Sequence, residues 1–160
     1  MNRSVPEISI RAGTASDAAA ISRLVTSLAE GFIVGEFTAE GRAQFLADHT
    51  AAKVAERLAG DFRFYLAEHA GTLVAVAAIR GNTHLYYLFV ANAYQRRGLA
   101  RRLWLRVRED SMACGNPGRF TVNASNFAVA PYEKLGFCRT EPTRETKGVL
   151  YNPMTLEAGR

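Results

Sequence analysis

Cysteine is scarce in this chain: two occur in 160 residues, Cys114 and Cys138, at no spacing suited to a zinc site or a redox pair. That excludes a disulfide-stapled scaffold and reads as two core thiols in a reducing cytoplasm. The three histidines, His49, His69 and His84, form no metal motif, so no metal is expected. Long apolar runs are missing too. The longest clean one, residues 73–79, is far too short to span a bilayer, and residues 1–7 lack the apolar core of a targeting segment. Repeats, linkers and low-complexity tracts are absent as well. What these absences leave is a soluble, cytoplasmic protein of one domain, 1–160, with no membrane partner. A chain of that size can bury about two-thirds of its extended surface.

The stretch from His84 to Arg108 organises what is present. It opens with His-Leu-Tyr-Tyr-Leu-Phe-Val, apolar at nearly every position, which predicts a strand buried on both faces. Leu99, Leu103 and Val107 then recur every fourth residue, which predicts a helix. Between them lies a basic turn with a single glycine, Gly98. A strand turning through glycine into a helix aims the helix's unpaired N–H groups at the turn, where they and the helix dipole favour an anion. The dinucleotide fingerprint needs three glycines and the phosphate loop of nucleotide hydrolases ends in Gly-Lys-Ser/Thr; neither is here. Net charge is +5, and six arginines fall between Arg96 and Arg108. Such a run suits a solvated face, nucleic acid, or steering of a polyanion toward the turn. Its position at the helix start favours steering, and no recognised nucleic-acid-binding fold accompanies it.

In chain order, residues 8–11 alternate as a short strand, and Thr14, Ser16 and Asp17 offer caps for a helix over 18–29. An apolar loop, 31–37, leads to a second helix over 39–59 that stops at Gly60. Strands follow at 62–68, 73–80 and 84–90, joined by tight turns at 69–72 and 81–82. After the arginine-rich helix, Gly115-Asn-Pro-Gly118 breaks the chain before a strand at 119–124 and a helix at 125–135, stopped by Gly136. Residues 137–156 should close as a hairpin turning at Lys147-Gly148. This mixture predicts an α/β fold with a central mixed sheet and helices on both faces.

Two motifs then carry a resemblance. Gln95-x-x-Gly98-x-Ala100 resembles the acetyl-coenzyme A loop of the GNAT superfamily of N-acetyltransferases, and Ser125-Asn-Phe-Ala128-Val-Ala-Pro-Tyr132-Glu-Lys-Leu-Gly136-Phe137 resembles its second signature. The element order matches that superfamily along essentially the whole chain. There is one departure. The asparagine expected seven residues before Tyr132 is Ser125; its role passes to Ser125, with Asn126 and Asn123 as stand-ins, while Ser125 reads equally well as a helix N-cap.

The resemblance implies a mostly antiparallel sheet of six to seven strands and an enzyme that moves an acetyl group from acetyl-CoA to a primary amine. A non-catalytic or regulatory coenzyme A-binding module is the alternative. By resemblance, backbone amides of Arg96, Arg97, Gly98, Leu99, Ala100 and Arg101 would meet the pyrophosphate. The backbone of Leu88, Phe89 and Val90 would pair with the pantetheine arm, and Tyr132 would protonate the departing thiolate. Tyr86 and Tyr87 read as packing aromatics or substrate rim. Glu36, Glu68 and His84 are candidates by type for the base. The acceptor, a small molecule or a peptide or protein amine, is not legible. Homodimers are common in the superfamily, yet no stretch here marks an interface.

Overall fold

Alternation along the central strands decides how the molecule is layered. In the computed structural model, which describes residues 7–157, Phe64 and Leu66 of β2 (Phe62–His69) enter one hydrophobic cluster while Tyr65 and Ala67 enter the other. The neighbouring β3 (Thr72–Arg80) does the same with Val76 and Ala78 against Ala75 and Ala77. Side chains of a strand point to opposite faces in turn, so both faces of the sheet are apolar and both must be covered. Helices α1 (Ala18–Phe32) and α3 (Ala51–Ala59) cover one face through Ile21, Val25 and Val54. The other is covered by α4 (Leu99–Ala113), which buries Leu99, Leu103, Trp104 and Val107. Trp104 meets the rings of Phe120 and Phe137 at 4.9 and 5.2 Å. Each such pair contributes about 0.5–1.5 kcal/mol beyond its buried area.

The sheet has eight strands, one more than the upper expectation. From β1 (Ser9–Ala12) the order runs β1-β2-β3-β4-β5-β8-β6, with β7 also on β8. Here β4 is His84–Val90, β5 Arg119–Ala124, β6 Cys138–Arg139, β7 Arg144–Thr146 and β8 Val149–Glu157. The closing hairpin holds three strands because β8 is nine residues long. One edge of it pairs with β5, and the other accepts both β6 and β7. Its turn falls at Lys147 and Gly148, both with left-handed backbone (φ 51° and 82°), the geometry a two-residue hairpin favours. Among the described residues only β4 and β5 run parallel.

Two further expectations need correction. The helix over 39–59 is two helices, α2 (Ala39–Asp48) and α3, because His49 leaves the helix and the Thr50 side chain caps α3 by accepting from the Lys53 N–H. The cysteines are not core thiols: Cys114 ends α4 and Cys138 lies on short β6, and both are exposed. Strand β4 is buried on both faces as expected, with Leu85 and Val90 in one cluster and Tyr87 in the other, while His84, Tyr86, Leu88 and Phe89 are only half-buried. Among the described residues no helix is long and apolar enough to cross a membrane; the expectation about targeting at residues 1–6 lies outside them. A short α5 (Val129–Lys134) completes the fold.

The closing hairpin docks on α2 through two glycines. A Cβ on Gly41 would lie 2.1 Å from the Gly148 carbonyl oxygen, which itself accepts from the Thr38 N–H at 3.2 Å. No side chain fits between them. We expect Gly41→Ala to force helix and hairpin apart, at a cost of about 1–3 kcal/mol from overpacking, seen as a lowered Tm.

Candidate active site

Parallel pairing between β4 and β5 lasts for only two residue pairs, His84 with Thr121 and Leu85 with Val122. Directly after it, β4 bulges. Ala78 faces Tyr87 and Ile79 faces Leu85, so Tyr86 is an extra residue. A bulge bends its strand and increases the local twist, and from here β4 diverges from β5. The Ala91 N–H donates to the Val74 carbonyl on β3 at 2.8 Å. Alternation therefore turns the N–H groups of Leu88 and Val90 the other way, into the opening. Gln95 fixes the exit of β4, its Nε2 donating to the Val90 carbonyl at 2.9 Å and to Asn92 Oδ1 at 3.3 Å.

The loop that follows is set by backbone geometry. Gly98 is the N-cap of α4 in left-handed conformation (φ 76°) and no side chain caps the helix there. Arg96 is also left-handed at φ 63°. The Arg102 N–H reaches back to the Gly98 carbonyl at 3.0 Å, which leaves the amides of Leu99, Ala100 and Arg101 without an intrahelical acceptor. A Cβ on Gly98 would meet nothing within 4 Å, so the space above the turn is open. A cavity of about 590 Å³ occupies it, lined by Leu88, Phe89, Val90, Arg96, Gly98, Leu99, Ala100, Arg101, Ser125 and Tyr132. The structure thus brings ten of the eleven sequence-picked residues to one cavity. Arg97 is the exception: its guanidinium lies over the ring of Tyr94, 5.5 Å from the centroid. The Leu99 side chain is buried in the core, so what it offers the cavity is backbone.

A second cavity, of about 720 Å³, opens on the other side of the same wall. The two share Ile33, Leu88, Phe89, Ser125, Ala128 and Tyr132. Tyr132, on α5, is buried and packs edge-on against Phe137 at 5.6 Å. Its hydroxyl makes no hydrogen bond to any described residue, and burial pushes its pKa up, so it stays protonated. Ser125 Oγ accepts from the Ala128 N–H at 3.2 Å, the cap that the sequence suggested, while lining both cavities. Asn123 lines only the larger one. Asn126 is committed elsewhere: its Nδ2 donates to Glu36 Oε2 at 2.9 Å and its Oδ1 accepts from buried Asn152 at 2.8 Å.

The candidate bases are dispersed. Glu36 is held by Asn126, and Glu68 pairs with Arg11 near the sheet edge. His84 lines the larger cavity, with Nδ1 2.8 Å from Thr121 Oγ1, and burial together with nearby Arg80 lowers its pKa to about 4. Sequence reasoning missed His49. It is buried on the cavity wall with Nδ1 2.5 Å from the Tyr87 hydroxyl, to which Arg57 donates at 2.9 Å. Burial, then the Arg57 charge, pushes His49 down to about 4 as well. These three residues lie far apart in sequence, and only the break between α2 and α3 turns His49 inward. No group of three or more His, Cys, Asp or Glu among the described residues could hold a metal ion.

The comparisons with known proteins point one way. A family model described as an acetyltransferase (GNAT) domain matches residues 33–158. Among solved structures, the chain is similar to the GCN5-related N-acetyltransferase of Rhodopseudomonas palustris, at 25% identity and a TM-score of 0.79, over 98% of each chain. It shares the fold of PaiA N-acetyltransferase from Thermoplasma acidophilum, solved in complex with coenzyme A, at 16% identity, a TM-score of 0.78, and 94% and 99% coverage of this chain and that one. The yncA protein of Salmonella typhimurium, solved with its cofactor acetyl-CoA, aligns at 18% identity and a TM-score of 0.64, covering 96% and 95%. Among curated proteins none matches by sequence.

Both His49 and His84 bind protons more weakly in the fold than in the unfolded chain. Between about pH 6.5 and pH 4 the unfolded state therefore holds more protons, and stability falls as pH falls through that window. We expect Tm to drop across it. His49→Asn, which keeps an acceptor for Tyr87, should show a shallower drop; an unchanged slope would remove His49 from the acid response.

Proposed function

The chain belongs to the GNAT family of acetyltransferases, and we infer that it moves an acetyl group from acetyl-coenzyme A to a primary amine by direct attack of the amine on the thioester. One observation carries the reading: two cavities meet at Tyr132, a buried residue whose hydroxyl makes no hydrogen bond to a described residue. The smaller cavity suits the cofactor. Free amides at the start of α4, open space above Gly98 and flanking arginines fit a pyrophosphate. The unpaired edge of β4 fits an extended, amide-rich arm. Solved relatives hold coenzyme A or acetyl-CoA, which supports the assignment. We read 1–160 as one domain serving this task.

Bound there, acetyl-CoA supplies an activated acetyl group as a thioester. The N–H groups of Leu88 and Val90 face the opening and are placed to stabilise negative charge on the carbonyl oxygen during attack. The larger cavity delivers the amine, whose proton passes to solvent water. Tyr132 gives its hydroxyl proton to the departing sulfur, so the products are an amide and free coenzyme A thiol. Burial raises its pKa, so the hydroxyl holds its proton at neutral pH until the thiolate takes it.

Purified protein mixed with acetyl-CoA and a panel of amines should release thiol, and coenzyme A should raise Tm. A ligand at 100 times its Kd adds about 2.7 kcal/mol. Binding without thiol release for any amine would leave a coenzyme A-binding module instead.

Gly98→Val should weaken cofactor binding more than it harms the fold, because a β-branched side chain strains the left-handed turn and fills the open space. Arg97→Ala should be milder, since its guanidinium rests on Tyr94. The reverse order, measured by calorimetric titration of coenzyme A, would sink the loop assignment.

Tyr132→Phe keeps the packed ring and removes the proton donor. Cofactor affinity and Tm should change little, while kcat falls by about 10²–10⁴. An unchanged kcat with chemistry rate-limiting would pass the acid role to another group.

A further inference from the structure

The larger cavity has a charge imbalance that speaks to its substrate. Arg80 and Lys147 both line it, and neither forms an ion pair with a described residue. The one acid on its wall is Asp48, which already accepts from Gln44 Nε2 at 3.0 Å. Arg57 adds a third cation just behind the wall, its guanidinium 4.9 Å from the centroid of the Tyr86 ring. Arg80 approaches that same ring at 5.8 Å. The β4 bulge is what sets this up. It sends Tyr86 and Tyr87 to the same face of the sheet, so that the Tyr86 ring becomes a platform for two guanidinium groups. Phe37, Phe45, Leu88 and Tyr151 add apolar surface to the same cavity.

We propose that the acceptor is a primary amine that also carries an anionic group, held by Arg80 and Lys147, with an apolar body spanning the two. The proposal rests on the acetyl-transfer reading and narrows it. Tyr86 lies two residues before Leu88, which is about 7 Å along a strand, so the anion and the reacting nitrogen sit several bonds apart. A polyamine is the wrong complement: its second ammonium would face two unpaired cations and leave them unpaired. An anion forms charge-assisted hydrogen bonds with both, and Arg80 is already oriented for this by its stack on Tyr86.

The test uses three acceptors of one length with a terminal amine: aminohexanoate, aminohexanamide and diaminohexane, each followed by thiol release from acetyl-CoA. The carboxylate should exceed the amide at least tenfold in kcat/KM, and the diamine should be poorest. Arg80→Gln should raise KM for the carboxylate, leave kcat and the acetyl-CoA KM in place, and bring carboxylate and amide together. Arg80→Glu should move the preference toward the diamine. Lys147→Asn, chosen because asparagine tolerates the left-handed backbone at that turn, should act in the same direction as Arg80→Gln. Melting curves with and without coenzyme A check that each variant is folded and binds cofactor.

Equal or better use of the amide or diamine by the wild type would overturn the anionic acceptor while leaving the transferase intact. So would a carboxylate preference that survives both Arg80→Gln and Lys147→Asn. Absence of thiol release with every amine, alongside an intact coenzyme A shift, would overturn the transferase reading and the proposal together.

Discussion

Parallel pairing between β4 and β5 stops after two residue pairs, and the third pair never forms. With Tyr86 as an extra residue, β4 bends away just after Leu85 meets Val122. Everything chemical follows from that divergence. A fully paired β4–β5 ladder would satisfy the Leu88 and Val90 amides within the sheet and close the space between the strands. Because pairing stops, a sheet edge opens in the middle of the molecule, lined by apolar side chains and unpaired backbone donors. Such an edge is costly when covered without partners, and an extended amide-bearing ligand is a natural way to satisfy it.

The opening would be a hole rather than a site without two supports. One is Gln95, whose side chain holds the Val90 carbonyl and so ties the glycine turn to the end of β4. The other is the aromatic stack of Trp104, Phe120 and Phe137, which fastens α4 to β5 and places Tyr132 against Phe137. The first fixes where helix amides point, and the second fixes where a proton is held. One acts through a hydrogen bond and the other through ring packing.

The larger cavity is built differently. Its walls come from distant parts of the chain: the break between α2 and α3, the far end of β3 and β4, and the closing hairpin seated on Gly41. The buried His49, Tyr87 and Arg57 group stiffens this wall, and its neutral imidazole adds no positive charge there at neutral pH. The charge of the cavity is therefore set by Arg80, Lys147 and Asp48 on its wall, with Arg57 just behind it.

Local sequence determined what local physics can encode. The glycine turn, the Ser125 cap, the Lys147-Gly148 turn and the two motifs with their element order were legible because each depends on neighbours within a few positions. Ten of the eleven picked residues share a cavity for the same reason: the motifs fall at element ends, and the fold brings those ends together. The tertiary structure alone decided the rest. Tyr86 is a bulge only relative to β3, His49 turns inward only because α3 restarts at Thr50, and Gly41 matters only because Gly148 lies against it. The exposed cysteines and the fate of Arg97 belong with these, since burial and stacking depend on partners far away in the chain. Register, contact and enclosed charge arise between segments, and a pattern within one segment carries no record of them.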